Sequence, residues 1–375
     1  MKKYLMTPGP TTIPEDVLLE MAKPIIHHRT GEYQEITKRV SENLKYIFQT
    51  QNPVLMFASS GTGGMEASVC NLLSQSDIAL VVESGKFGER WGEICKAYKI
   101  QTEIIKVEPG DSVSPLEIKD RLSKKKFSAL FTTLCETSTG ALTDIEAIGE
   151  ITKELDTLFV VDAISGLCAD EFLQDSWKVD VCVSSSQKGL MLPPGLSFVS
   201  LSKKAQEKIE KGDLPKYYFS FKKALKAYEN NDTPFTPAIS LVRGLATALS
   251  KIRKEGIENI IKRHKRLAEA TRNAVSALGL TLFAKNPSNA VTSVLAPDGI
   301  PAKNITSRIK NTYGVNIAKG QGELEDVIFR IAHLGYVDKF DIITTISALE
   351  MTLSDLGFPV KLGLGVCEIE KALKE

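Results

Sequence analysis

The chain alternates strand-like and helix-like segments with a regularity that few architectures accommodate. PVLMFAS precedes a helical stretch from about Thr62 to Leu73, and DIALVVES precedes one around Trp91 to Tyr98. QTEIIKV then precedes SPLEIKDRL, SALFTTL precedes TDIEAIGEITKEL, and LFVVD, DVCVSS and LSFVSLS follow. These strands are near-continuous apolar runs, so both of their faces are covered. Strands covered on both faces by intervening helices lie in a mainly parallel sheet. An α/β domain is therefore predicted. Ahead of it, PGP and TTIP form an extended arm ending at Pro14. EDVLLEMA and the stretch from Tyr33 to Thr50 then have helical spacing, the second with Ile36, Val40, Leu44 and Ile47 on one stripe.

After Leu201 the segments become charged and helical, interrupted by the Pro-punctuated loop NNDTPFTPAIS. A long helical stretch from Ile239 to about Leu278 is broken near Gly256. GLTLFA, AVTSVLAP and VIFRIAHL then read as strands, interleaved with helices at about Ala302 to Thr312 and Lys339 to Thr352. That pattern predicts antiparallel strands with helices on one face. With 375 residues the chain exceeds one ordinary core. The expected division is an arm over 1–14, a large α/β domain over 15–254 and a small α+β domain over 255–375.

Composition narrows the function class. Hydrophobic residues make up 43% and charged residues 25%, the proportions of a soluble globular protein. The 47 basic and 46 acidic residues nearly cancel and form no long run of one sign, which argues against a nucleic-acid or anionic-membrane partner. No run of roughly 20 apolar residues is present. The six cysteines are scattered without a CxxC pair, as expected of free thiols in a reducing compartment, so a cytoplasmic protein is expected. None of the four histidines has a partner at metal-ligand spacing, and no metal site is expected.

The chemistry-bearing residues cluster at strand ends. Val181, Cys182 and Val183 read as a buried strand, after which Ser184 to Gln187 deliver Lys188 ahead of Pro193, Pro194 and Gly195. Leu158 to Val161 is a second strand, ending in Asp162. In open parallel sheets the ligand crevice lies beyond such carboxyl ends. An amine and a carboxylate facing one ligand suit pyridoxal 5'-phosphate (PLP), which bonds a lysine and needs an acid beside its pyridine nitrogen. On these two residues alone, a solvated lysine and a turn-forming aspartate remain the alternatives. SSGTGGMEA, from Ser59 to Ala67, follows a strand and opens a helix whose free amides suit a phosphate, with Ser60 and Thr62 as hydroxyl donors. A capped turn without a ligand explains it equally well, and it matches neither GxGxxG nor GxxxxGK[ST]. SGKFGERW places Phe87 and Trp91 after another strand, as core residues or as a ring stack. ETSTG, from Glu136 to Gly140, offers hydroxyls to a polar ligand or ordinary turn chemistry.

Taken together, SGTGG, ETSTG, Asp162 and Lys188 at successive strand ends resemble the class V aminotransferase family of fold type I PLP enzymes. The likeness runs from Pro8–Pro10 to Arg330–Gly335 and is strongest in Ser186, Gln187 and Lys188 followed by PPG. Within the family the chain is most similar to the alanine:glyoxylate and serine:pyruvate branch. The resemblance implies that Lys188 is the Schiff-base lysine and proton-moving base, and that Asp162 pairs with the pyridinium nitrogen. It implies that Ser60, Gly61 and Thr62 hold the phosphate with help from Gln187, and that Thr137 meets the ring's hydroxyl edge. Phe87 takes a stacking position where that branch commonly has tryptophan. Arg330 falls where the family binds the substrate α-carboxylate, with Arg29 as a second candidate cation. The partner subunit of a homodimer lends phosphate contacts from the loop NNDTPFTP, which nominates Thr233 and Thr236. The implied reaction moves an amino group between alanine or serine and glyoxylate or pyruvate. A cysteine-desulfurase-type lyase is the first alternative, although such relatives usually carry histidine where this chain has Gln187 and Phe87. An aspartate-using aminotransferase and a non-catalytic accessory subunit with this fold are the others.

Overall fold

Both-face burial is visible residue by residue in the central strands. In the computed structural model, which describes residues 2–374, the sheet consists of β1 Val54–Phe57, β2 Ile78–Glu83, β3 Gln101–Lys106, β4 Ala129–Thr133, β5 Leu158–Asp162, β6 Val181–Ser185 and β7 Ser197–Leu201, with β3 a partly exposed edge strand. Leu80, Val82, Leu130, Phe159, Val161 and Cys182 enter one core with the helices Gly31–Phe48 and Ile239–Glu255. Their alternates Ala79, Val81, Phe131, Val160 and Val183 enter a second core on the other face. That second core is covered by α1, Gly61–Leu72, and α2, Lys86–Ala97. Apolar residues on both faces of a strand are what such a two-sided sheet requires.

The strands lie in the order β1-β7-β6-β5-β4-β2-β3. All neighbouring pairs from β6 to β3 are parallel, and β7 alone runs antiparallel to both of its neighbours. β6 and β7 are joined through the PPG loop without a helix, and a connection of that kind returns a chain beside itself in the opposite direction. Because β7 is reversed, β1 again points the same way as β6. The carboxyl ends of β1, β6, β5, β4 and β2 therefore share one edge.

The second half has its own apolar cluster, with Val294, Phe329 and Ile331 packed against Ala270, Ile305, Ile346 and Ile369. Its strands Val291–Leu295, Ile328–Ala332 and Ala318–Lys319 form an antiparallel sheet. The long helical stretch divides into α3, Ile239–Glu255, and α4, Ile257–Ala277, at Gly256, whose φ of 86° suits glycine. GLTLFA is not the full strand its composition suggests. It touches the sheet through one bridge, Leu282 to Val294, and then turns away so that Lys285 N–H bonds Gly110 O. The arm is more than an extended lead. Tyr4–Leu5 pairs in parallel with Val315–Asn316, and Ala332 N–H bonds Met6 O. Among the described residues, no helix is long and apolar enough to cross a membrane.

Candidate active site

Lys188 lies three residues past β6, in a loop closed by its own hydroxyl chemistry. Ser186 Oγ donates to Pro193 O at 2.7 Å and accepts from Leu196 N–H at 3.2 Å. The N-terminal arm lies directly on the lysine. Lys188 Nζ donates to Pro8 O, Thr11 Oγ1 donates to Lys188 O at 3.1 Å, and Thr11 N–H bonds Gln187 O. A Cβ at Gly9 would stand 2.5 Å from Cδ, Cε and Nζ of Lys188, so only glycine passes there. Burial pushes the Lys188 ammonium down to about 8, against the upward pull of Cys135 and Asp162. Reading PGP as a simple arm gave no hint of this contact, because it joins segments about 180 residues apart.

Asp162 closes β5 and is buried, with Oδ1 accepting Ile164 N–H at 2.8 Å. Burial pushes it up to about 7, while that hydrogen bond and the charges of Arg90 and Lys188 pull the other way. No side chain among the described residues donates to it. Thr133 Oγ1, Ser185 Oγ and Gln187 Oε1 are likewise buried without a partner. Thr133 pairs with Asp162 across the sheet, and Ser185 lies against Gly61. Buried polar groups are normally satisfied, so a concentration of unpartnered ones around an amine and a carboxylate marks a place built for a polar ligand. This donor set fits PLP: an amine for its aldehyde, a carboxylate without a side-chain donor for its ring nitrogen, and helix-terminal amides for its phosphate.

Those amides belong to α1. Ser60 is its N-cap and is exposed, with its hydroxyl unused in capping. Gly61 packs close to Ile164 and Ser185, where an added Cβ would come within 2.4 Å of Ile164. Thr62 Oγ1 accepts from Arg90 at 3.3 Å, and the Arg90 guanidinium lies 4.8 Å from the centre of the Phe87 ring. Arg90 escaped the sequence reading. Its signal was present, since it sits three residues after Phe87 on one helix face. The two aromatics of SGKFGERW separate: Trp91 is core, packed on Phe131 with its N–H on Thr132 O, whereas Phe87 is only half-buried in the first turn of α2.

Thr137 is buried and turns its hydroxyl to Ser165 Oγ at 2.6 Å, while its carbonyl accepts from Arg330 at 2.7 Å. Arg330 also donates from Nε and its other terminal nitrogen to Lys319 O, at 3.0 and 2.7 Å. Three of five N–H donors are thus committed to main chain, leaving one on each terminal nitrogen. Arg330 is 4% exposed and forms no ion pair among the described residues. Burial pushes it down to about 10, with Glu136 pulling up.

The remaining nominees lie elsewhere in the single chain. Thr233 and Thr236 line a small cavity with Met56, Phe57, Ala58, Leu196 and Tyr218. Thr233 donates its hydroxyl to Phe235 O, and Thr236 is exposed. Arg29 pairs with Asp232 and donates to Thr233 O at 3.2 Å. None of these three bonds to Lys188, Asp162 or Arg330.

Comparison with known proteins identifies the family. The family model described as aminotransferase class-V matches residues 3–328. The chain is 45% identical over 363 residues to the soluble hydrogenase, small subunit, of Synechococcus sp. (strain PCC 6716), covering 95% of this chain and 94% of the relative. It is 36% identical over 376 residues to the serine–glyoxylate aminotransferase of Hyphomicrobium methylovorum, covering 96% and 92%. The crystal structure of ureidoglycine-glyoxylate aminotransferase from Bacillus subtilis superposes with a TM-score of 0.96 at 26% identity, covering 100% of this chain and 99% of that one. A match over most of the length, and a site whose unpartnered groups suit PLP, lead to one conclusion: the chain belongs to the aminotransferase class-V family, PLP-dependent transaminases of fold type I.

Proposed function

We propose that this enzyme moves an amino group between a small amino acid, alanine or serine, and a small 2-oxo acid, glyoxylate or pyruvate. The observation that carries the proposal is Arg330, a buried guanidinium with one N–H left over on each terminal nitrogen and no ion-pair partner among the described residues. A carboxylate takes two such donors side by side. Arg29, the other candidate cation, is engaged by Asp232, and Arg90 by Phe87 and Thr62, which favours substrates with one carboxylate over aspartate.

PLP, when bound, supplies an aldehyde that an amine can attack and a protonated ring that withdraws electrons. Lys188 would be the amine that holds it and the base that carries a proton to and from the substrate carbon. Its depressed pKa leaves a substantial share neutral near pH 8. Asp162 would accept the ring N–H and so keep that nitrogen protonated. Ser60, Gly61, Thr62 and Gln187 would hold the phosphate, with Phe87 on the ring face and Thr137 toward the hydroxyl edge.

A second copy of the chain completes the site, its loop 230–237 bringing Thr233 and Thr236 toward the phosphate. Support comes from the lack of any hydrogen bond from Thr233 or Thr236 to Lys188, Asp162 or Arg330 among the described residues, and from the apolar residues Leu19, Ile25 and Tyr217, which a single chain leaves exposed. A cytoplasmic location is supported by six free cysteines, five of them buried.

The deciding experiment adds each amino acid in turn to holoenzyme and measures stoichiometric release of the matching 2-oxo acid. Alanine and serine should react, and reaction with aspartate alone would overturn the substrate assignment. The relative named as a hydrogenase subunit favours a second reading, a non-catalytic accessory subunit. That reading requires that no amino acid release its oxo acid.

A further inference from the structure

We infer that Glu136 is the positioning residue that keeps the two walls of the site, the Phe87 ring and the Arg330 guanidinium, in fixed relation. The inference rests on the aminotransferase reading above. α2 begins with Gly85, which has no side chain to cap it, so its first amides need acceptors from outside. The ETSTG loop, some fifty residues later, supplies them. Glu136 Oε2 accepts from Phe87 N–H at 3.1 Å and from Gly88 N–H at 2.9 Å, and Ser138 Oγ accepts from Lys86 N–H at 3.1 Å. Oε1 accepts from Ser138 N–H at 3.1 Å and from the Ser138 hydroxyl. Three consecutive amides at the start of α2, the Phe87 amide among them, are therefore tied to one carboxylate and its neighbour.

Every hydrogen-bond partner of that carboxylate is a donor, so both of its oxygens serve as acceptors. Burial pushes the Glu136 carboxyl above the usual carboxylate range, and the hydrogen bonds from Ser138 and from the helix-start amides of Gly88 and Phe87 pull it back. The space is fitted to it, because a Cβ on Gly85 would lie 2.4 Å from Ser138 Oγ and 2.6 Å from Glu136 Cδ. The other wall is attached to the next residue. Thr137 O accepts from Arg330, and Gly140 of the same loop packs on Ser293, the cross-strand partner of Arg330. Ring wall and carboxylate clamp thus meet in one short loop whose side chain holds the first and whose main chain holds the second. Groups held by such supporting contacts keep their geometry, and groups that lose them drift.

A purely structural buried acid would affect melting alone, so the test reads the site. Glu136→Gln keeps the shape but turns an amide NH2 toward backbone N–H groups. In the folded holoenzyme the visible circular dichroism of bound PLP should fall. The PLP dissociation constant and the half-saturating concentrations of amino donor and oxo acceptor should rise about tenfold or more. Glu136→Asp, which keeps the charge, should recover part of each. A folded Gln variant with wild-type dichroism, PLP affinity and half-saturation overturns the inference. Should that variant not fold, Ser138→Ala removes one donor to the carboxylate and the acceptor of Lys86 N–H. It should shift the same three quantities in the same direction, and no shift overturns the inference equally. Borohydride fixation of PLP in the wild type reports separately on the underlying reading, which fails if the label lies on a residue other than Lys188, whatever Glu136 does.

Discussion

Lys188 has a folded pKa of about 8 against an ordinary 10.5, and the sign of that shift sets two expectations. Between these values the unfolded chain holds a proton that the folded apoprotein has released, so this group makes folding less favourable below pH 8 and the deficit is relieved as pH rises toward 10.5. The neutral amine, the form that attacks an aldehyde, is then half-populated near pH 8. The rate at which apoprotein captures PLP should rise through pH 8 and level off, as followed by stopped-flow absorbance. A rate still climbing toward pH 10.5 would show an exposed lysine at work. For Arg330 the expectation concerns binding. A lysine cannot reproduce the guanidinium fork, and it also abandons the carbonyls of Lys319 and Thr137. Losing a charge-assisted hydrogen bond costs about 1.5 to 3 kcal/mol, a factor of about 10 to 150. Arg330→Lys should raise half-saturation for donor and acceptor at least about tenfold while PLP stays bound. Unchanged saturation in steady-state kinetics would return Arg330 to a structural role.

Among the elements, the N-terminal arm carries the least expected burden. It pairs with Val315–Asn316, bonds Ala332 N–H through Met6, and crosses Lys188 at Gly9. Gly9 has a φ of 133°, and the Cβ of an alanine would lie 2.5 Å from the end of the lysine, inside contact distance. Gly9→Ala should therefore displace the Lys188 side chain and sharply reduce borohydride-fixed PLP. Cofactor still fixed to Lys188 at the wild-type level, measured by mass spectrometry of the labelled peptide, would show that the arm yields instead. The central strands were legible because two-sided burial writes itself as an unbroken apolar run. GLTLFA was misread for the converse reason: its apolar residues pack beside the sheet while its backbone leaves after one bridge. Glu136 was legible only as part of a polar turn, since its partners lie on a helix far away in sequence.

At the scale of the whole molecule, a shared site makes a prediction that a monomer cannot satisfy. If Thr236 of one chain serves the phosphate of another, Lys188→Ala and Thr236→Arg homodimers should both be impaired. After mixing, unfolding and refolding together, the mixed dimer would contain one site with both native residues. Activity should reappear in the mixture and in neither parent. Failure to regain activity, with light scattering showing dimers, would place Thr236 outside the site. Burial periodicity and strand-end motifs are local properties, so the sequence by itself determined that a mainly parallel sheet would form and that Asp162 and Lys188 would come at or just past the ends of two consecutive strands of it. The strand order, the reversal of β7 that brings β1 to the same edge, the arm over Lys188, the engagement of Arg29 by Asp232 and the capping of α2 by Glu136 were decided only in the tertiary structure. Each joins residues remote in sequence through contacts that leave no local periodicity, and side-chain charge or size alone does not say which distant partner a group will meet.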